Sequence, residues 1–165
     1  MLRKLALLLA LVFSVSISSK AQGSNNLFVG YSFEHLGTTP SRNINGVEGT
    51  LEHRFVPWIG LTADIDAHFG LPSQLDARDL HFMVGPQISL PTRVSPFFHV
   101  LGGFGHIHES GLTSTSFATA IGGGVDFHLA PLFAWRVVQA DDVITQFFGV
   151  TEHSLRISTG LVFRF

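Results

Sequence analysis

The sequence predicts an all-β chain: an eight-stranded antiparallel up-and-down transmembrane β-barrel with its apolar side chains facing outward. Three observations predict it. First, segment after segment alternates apolar and polar residues with the period of two that marks a strand. Second, charged residues make up only 13% of the chain and phenylalanines number 16, yet past the leader no apolar run reaches the roughly 20 residues of a membrane helix. Hydrophobicity of this kind has to be spread over every second residue, as a barrel in lipid spreads it. Third, short connections containing proline alternate along the chain with longer polar ones, the pattern of a barrel with turns at one end and loops at the other.

The leader comes first. Arg3 and Lys4 precede an apolar stretch over 5–15, and Ser19-Lys20-Ala21 places small residues where a signal peptidase reads them. Residues 1–21 are therefore expected to be a cleaved signal peptide and residues 22–165 a single barrel domain of about 144 residues. The chain has no cysteine, which excludes a lipid anchor on sulfur, a disulfide and a thiolate metal site. Beyond Ala21 seven arginines face twelve acids, a formal net charge of −5 that gives nucleic acid no basic surface.

The first strand, 27–34, sets Leu27, Val29, Tyr31 and Phe33 against Gly30, Ser32 and Glu34. A polar loop over 37–46 follows, with Pro40, Asn43 and Asn45 as breakers. The second strand, 47–55, points Glu48, Thr50, Glu52 and Arg54 inward, and a tight turn at 55–58 leads to the third, 58–69, which points Asp64, Asp66 and His68 the same way. After a loop over 70–79 the fourth strand, 80–90, carries Pro86 on its outward parity. The missing N–H there predicts a bulge or a locally open ladder. A short turn at 91–96 gives way to two glycine-rich strands, 97–107 and 116–129, in which Gly102-Gly103 and Gly122-Gly123-Gly124 let a narrow barrel bend. The third short turn holds Pro131. In the seventh strand, 133–142, the polar residues do not share one parity, which a bulge between Arg136 and Gln139 would reconcile. A last loop over 144–152 precedes the closing strand.

That strand sets Leu155, Ile157, Thr159, Leu161, Phe163 and Phe165 on one face and Ser154, Arg156, Ser158, Gly160 and Arg164 on the other. It resembles the terminal strand of bacterial outer-membrane β-barrels, and the resemblance implies that Leu161, Phe163 and Phe165 are read by the barrel-assembly machinery. With the strands at 96–106, 119–128 and 135–142, the chain after the leader resembles the small eight-stranded outer-membrane barrels of the OmpA transmembrane-domain and OmpX type. The resemblance implies residence in the outer membrane, contact with its lipid, a monomer, and a structural or surface-interaction role with no ligand specified. No peptidoglycan-binding domain is expected after Phe165.

The interior of an eight-stranded barrel is just wide enough for side chains to fill. Glu34, Glu48, Glu52, Arg54, Asp64, Asp66, Asp126 and Arg156 are the expected interior charges, paired into a structural polar network because unpaired buried charge is costly. The same residues offer an alternative, a narrow porin passing water or small ions, with cations favoured because acids outnumber arginines. A soluble barrel with its apolar face inward is a further alternative.

Among nine histidines, His81, His99 and His128 share the inward parity on three consecutive strands, but no ligand spacing accompanies them, and neither a metal nor another cofactor is expected. His108-Glu109-Ser110 has the His-x-Ser spacing of outer-membrane lipid A deacylases. It lacks their surroundings and a glutamate on the next strand, where Thr119, Gly122 and Asp126 stand, so no enzyme is expected and a lipid A-modifying hydrolase is only an alternative.

Overall fold

Alternation makes a wall only if each strand finds two neighbours, and here every strand does. The computed structural model describes residues 24–37, 42–69, 78–109, 112–147 and 150–165. They form β1 (Ser24–Leu36), β2 (Arg42–Val56), β3 (Ile59–Phe69), β4 (Arg78–Ser89), β5 (Val94–Glu109), β6 (Leu112–Ala130), β7 (Phe133–Phe147) and β8 (Val150–Arg164). Each pairs antiparallel with the next, and β1 pairs with β8 to close the barrel, so no edge is left for another chain to extend. The predicted leader, residues 1–21, lies outside the described residues.

The side chains sort as the parity predicts. Outward residues are aliphatic and aromatic, and they stay exposed: Ile65 at 52%, Phe82 at 53% and Phe104 at 61%. Inward residues are mostly polar or small and are buried, with a few large apolar side chains among them, Phe28, Met83, Phe97 and Leu101. A belt of this size around the whole circumference is far larger than the apolar patches water tolerates, and lipid is the medium that covers it. Outward aromatics thicken the belt near both rims: Phe133 packs edge-on against Phe163 at 5.4 Å, and Phe104 against Phe117 at 6.5 Å.

Two features of the wall differ from its sequence-based outline, and a third, at Pro86, follows it. The strands are longer than expected at the end away from the short turns. β5 and β6 run to Glu109 and from Leu112, and β7 and β8 to Phe147 and from Val150, so the expected loop over 144–152 shrinks to two residues between strand ends. Ser and Thr dominate both parities in 113–116, which hides the alternation there while the backbone ladder continues. At the opposite end β5 begins at Val94, so Pro96 lies in the strand and not in the turn. At Pro86 the ladder to β5 opens locally: pairing runs to Val84↔Gly102 and resumes at Gln87↔His99 in the same register, while Pro86 still faces Leu61 on β3.

The bulge expected in β7 is present. The register against β8 shifts between Arg136 and Gln139, and Val137 and Val138 both point outward. Inward parity thereby passes from Ala134 and Arg136 to Gln139, Asp141 and Val143.

Candidate functional site

All eight residues expected inside lie there, each buried: Glu34, Glu48, Glu52, Arg54, Asp64, Asp66, Asp126 and Arg156. All but Glu34, which lies beside His68, assemble around three arginines set at successive heights, and each height recruits residues from several strands.

The central level belongs to Arg156 on β8, which is 0% exposed. Its Nη1 donates to Asp64 Oδ1 at 3.0 Å and also to Asp66 Oδ2, both on β3. Its Nε and Nη2 donate to Asp141 Oδ2 on β7 at 3.1 and 2.8 Å, and Glu48 Oε2 on β2 lies 3.7 Å from Nε. One guanidinium thus meets carboxylates from three other strands. The planar fork supplies five donors in fixed directions, which suits arginine and not lysine to this position. Glu48 is held further by Gln139 Nε2 at 2.8 Å and by the Ser158 hydroxyl, and His99 Nε2 donates to Asp141 Oδ1 at 2.9 Å.

The next level belongs to Arg136 on β7. Its Nε and Nη2 donate to the two oxygens of Asp126 at 2.8 and 3.2 Å, and Nη1 donates to Gln139 Oε1 at 2.6 Å. The rings of Phe28 and Phe97 both lie against it, each with its centroid 4.3 Å from the guanidinium carbon, two cation–π contacts. Phe28 fits because Gly30 and Gly160 stand beside it, where an added Cβ on either would overlap its ring and the opposite backbone. Nearer the short turns, Arg54 Nε donates to Glu52 Oε1 at 2.9 Å, and Asn26 and Ser89 complete the shell of Glu52 at 2.6 and 3.1 Å.

Reading the sequence alone misses Arg136, Gln139 and Asp141 as lumen residues, although the bulge placed between Arg136 and Gln139 implies them. It also misses Phe28 and Phe97. An aromatic residue on a strand of a lipid-facing barrel carries no mark of its own parity. Only neighbours in register, Asn26 and Ser32 for Phe28, Ser95 and His99 for Phe97, reveal it.

The three histidines considered together from parity do not gather. His81 stands opposite Gly105 and His99 opposite Gln87, six positions away, which at about 3.3 Å per residue separates them by roughly 20 Å along the wall. His128 stands opposite Ala134, six positions beyond the Gly122 that faces His99. A shared parity fixes the face and leaves height free, and height is what the three do not share. His108 and Glu109 close β5, and Ser110 lies outside the described residues. Leu161, Phe163 and Phe165 face outward at the short-turn end.

No protein-family model matches the sequence, and no curated protein matches it. Among solved structures, Neisserial surface protein A superposes with a TM-score of 0.69 at 13% identity, covering 87% of this chain and 100% of that one. The attachment invasion locus protein Ail of Yersinia pestis, in complex with the heparin analogue sucrose octasulfate, gives 0.57 at 18% identity over 87% and 99%. The outer membrane protein OprG of Pseudomonas aeruginosa gives 0.59 at 9% identity over 87% and 96%. The chain has the fold of small outer-membrane barrels.

Proposed function

We propose that the chain is an outer-membrane protein built as a closed, non-conducting cylinder, whose role is structural or exercised through its surface-exposed connections. The observation that carries this reading is Arg156: fully buried, it ties β8 to carboxylates on β2, β3 and β7 and fills the cross-section with fixed side chains. With the lumen occupied, the parts left to meet other molecules are the connections at 37–41 and 70–77 and the strand ends beside them. Neighbours in fold include a protein called a surface protein and one solved with a sulfated ligand, which supports surface interaction as the class of activity. In this reading residues 1–21 direct export and are removed, the outward Leu161, Phe163 and Phe165 present the closing strand to the assembly machinery, and the barrel is a monomer in lipid.

A narrow cation path is the second reading. It is favoured by the acid excess, since eight buried carboxylates face three buried arginines among the described residues. Planar-bilayer recording of the refolded barrel separates the two. The closed cylinder predicts no unitary steps above the bare bilayer at 1 M salt, whereas cation-selective steps would replace it with the porin.

A further inference from the structure

The arginine network leaves one buried cluster unsatisfied. Glu34 on β1, His68 on β3 and His81 on β4 lie near the ends of their strands that lead to the 37–41 and 70–77 connections. All three are at most 1% exposed, and one ligating atom from each lies within 4.8 Å of the others. Three of their buried atoms, Glu34 Oε2, His68 Nδ1 and His81 Nε2, have no hydrogen-bond partner, and neither does Asp79 Oδ1 beside them. Buried polar atoms are normally paired, so four orphans in one place call for a missing partner.

The orientation of the rings tells what kind. His81 Nδ1 donates to Asp66 Oδ1 at 2.9 Å, which leaves the Nε2 lone pair facing inward, 3.5 Å from Asp79 Oδ1. His68 holds its Nε2 at 3.0 Å from Ser32 Oγ, so Nδ1 faces Glu34 Oε2 at 3.3 Å and Asp66 Oδ1 at 3.0 Å. Neither contact of Nδ1 has the angle of a hydrogen bond, so a proton on that nitrogen does not satisfy the carboxylates. Lone pairs converge, and a cation between them is the complement. Bonds of about 2.0–2.1 Å to a tetrahedral zinc ion place neighbouring ligands about 3.3–3.4 Å apart, the spacing of His68 Nδ1 and Glu34 Oε2. Asp66, fixed in turn by Arg156, orients His81 as a carboxylate orients a metal-bound imidazole.

We propose that Glu34, His68 and His81 form a binding site for a divalent transition-metal ion of the zinc type at the loop end of the lumen, with Asp79 beside the fourth position. Two imidazoles and a carboxylate suit zinc and its neighbours in the first row better than calcium or magnesium. The site is built on three strands of the wall, so its geometry comes with the barrel and does not depend on loop conformation.

The test is equilibrium dialysis of the full refolded barrel against zinc chloride, with folding checked by the mobility shift on boiling. One zinc ion per barrel is expected, with affinity falling at least tenfold in Glu34→Gln and in His81→Gln. His153→Gln, on an exposed histidine beside Asp142, should leave it unchanged. Cobalt in place of zinc should give the intense visible bands of a tetrahedral site in the native barrel, a readout that stands even where a variant fails to fold. No stoichiometric binding, binding in Glu34→Gln and His81→Gln as tight as in the unsubstituted barrel, or binding lost in His153→Gln would each overturn the assignment.

Discussion

Arg156 concentrates the electrostatics of the barrel in one side chain. Four carboxylates surround it, and the water that would otherwise solvate them is replaced by other side chains of the lumen. Taking away the cation while leaving its partners buried removes the attraction and keeps the desolvation cost. Arg156→Leu is therefore expected to destabilise the barrel by about 3–5 kcal/mol, read from equilibrium urea unfolding in lipid. A loss below about 1 kcal/mol would show that this network does not hold the barrel together. Every acid and arginine assigned inward from parity lies in the lumen, because period-two alternation on a two-sided wall leaves one choice per strand. Their partners were not legible. Whether Asp64 meets Arg156 depends on register across the barrel, and the strands concerned are separated by about 90 residues of chain. His68 illustrates the same limit: its inward parity is plain in the sequence, but its approach to Glu34 and His81 is set by the relative heights of β1, β3 and β4.

At the scale of the element, the bulge in β7 decides which side chains the lumen receives. Val137 and Val138 both face out, and this two-residue step lets Arg136 and Asp141 both face in. Deleting Val138 alone removes the extra residue and leaves Arg136, Gln139 and Asp141 on one face of a regular strand, whereas deleting Val137 and Val138 together turns either Arg136 or the pair Gln139 and Asp141 toward lipid and strips Asp126 or Arg156 of a partner. The double deletion is expected to abolish the folded form on unboiled electrophoresis, and the single deletion to keep it. An unchanged folded band in the double deletion would show that the inward placement of these residues is incidental. The bulge was visible in the sequence because it breaks a pattern. The true lengths of β5 to β8 were not, because above the apolar belt both faces of a strand meet water or polar side chains and the alternation fades.

For the whole molecule, the central claim is that the sheet is inside-out. An apolar band faces outward around a closed wall, and the charge that a soluble protein would spread on its surface is folded into the lumen. Closure supplies every strand with two partners, which is why a short chain without cysteine can hold so many buried ions in place. The same chain with the opposite face inward would need its carboxylates in water and its phenylalanines packed into a lumen too narrow to hold them. The measurement that tests this most directly is fractionation of the expressed protein followed by electrophoresis with and without boiling. Recovery in the outer-membrane fraction, as a band whose mobility changes on heating, is the predicted result. Recovery in the soluble periplasmic fraction without lipid or detergent would contradict the account, because no surface of that composition stays dispersed in water.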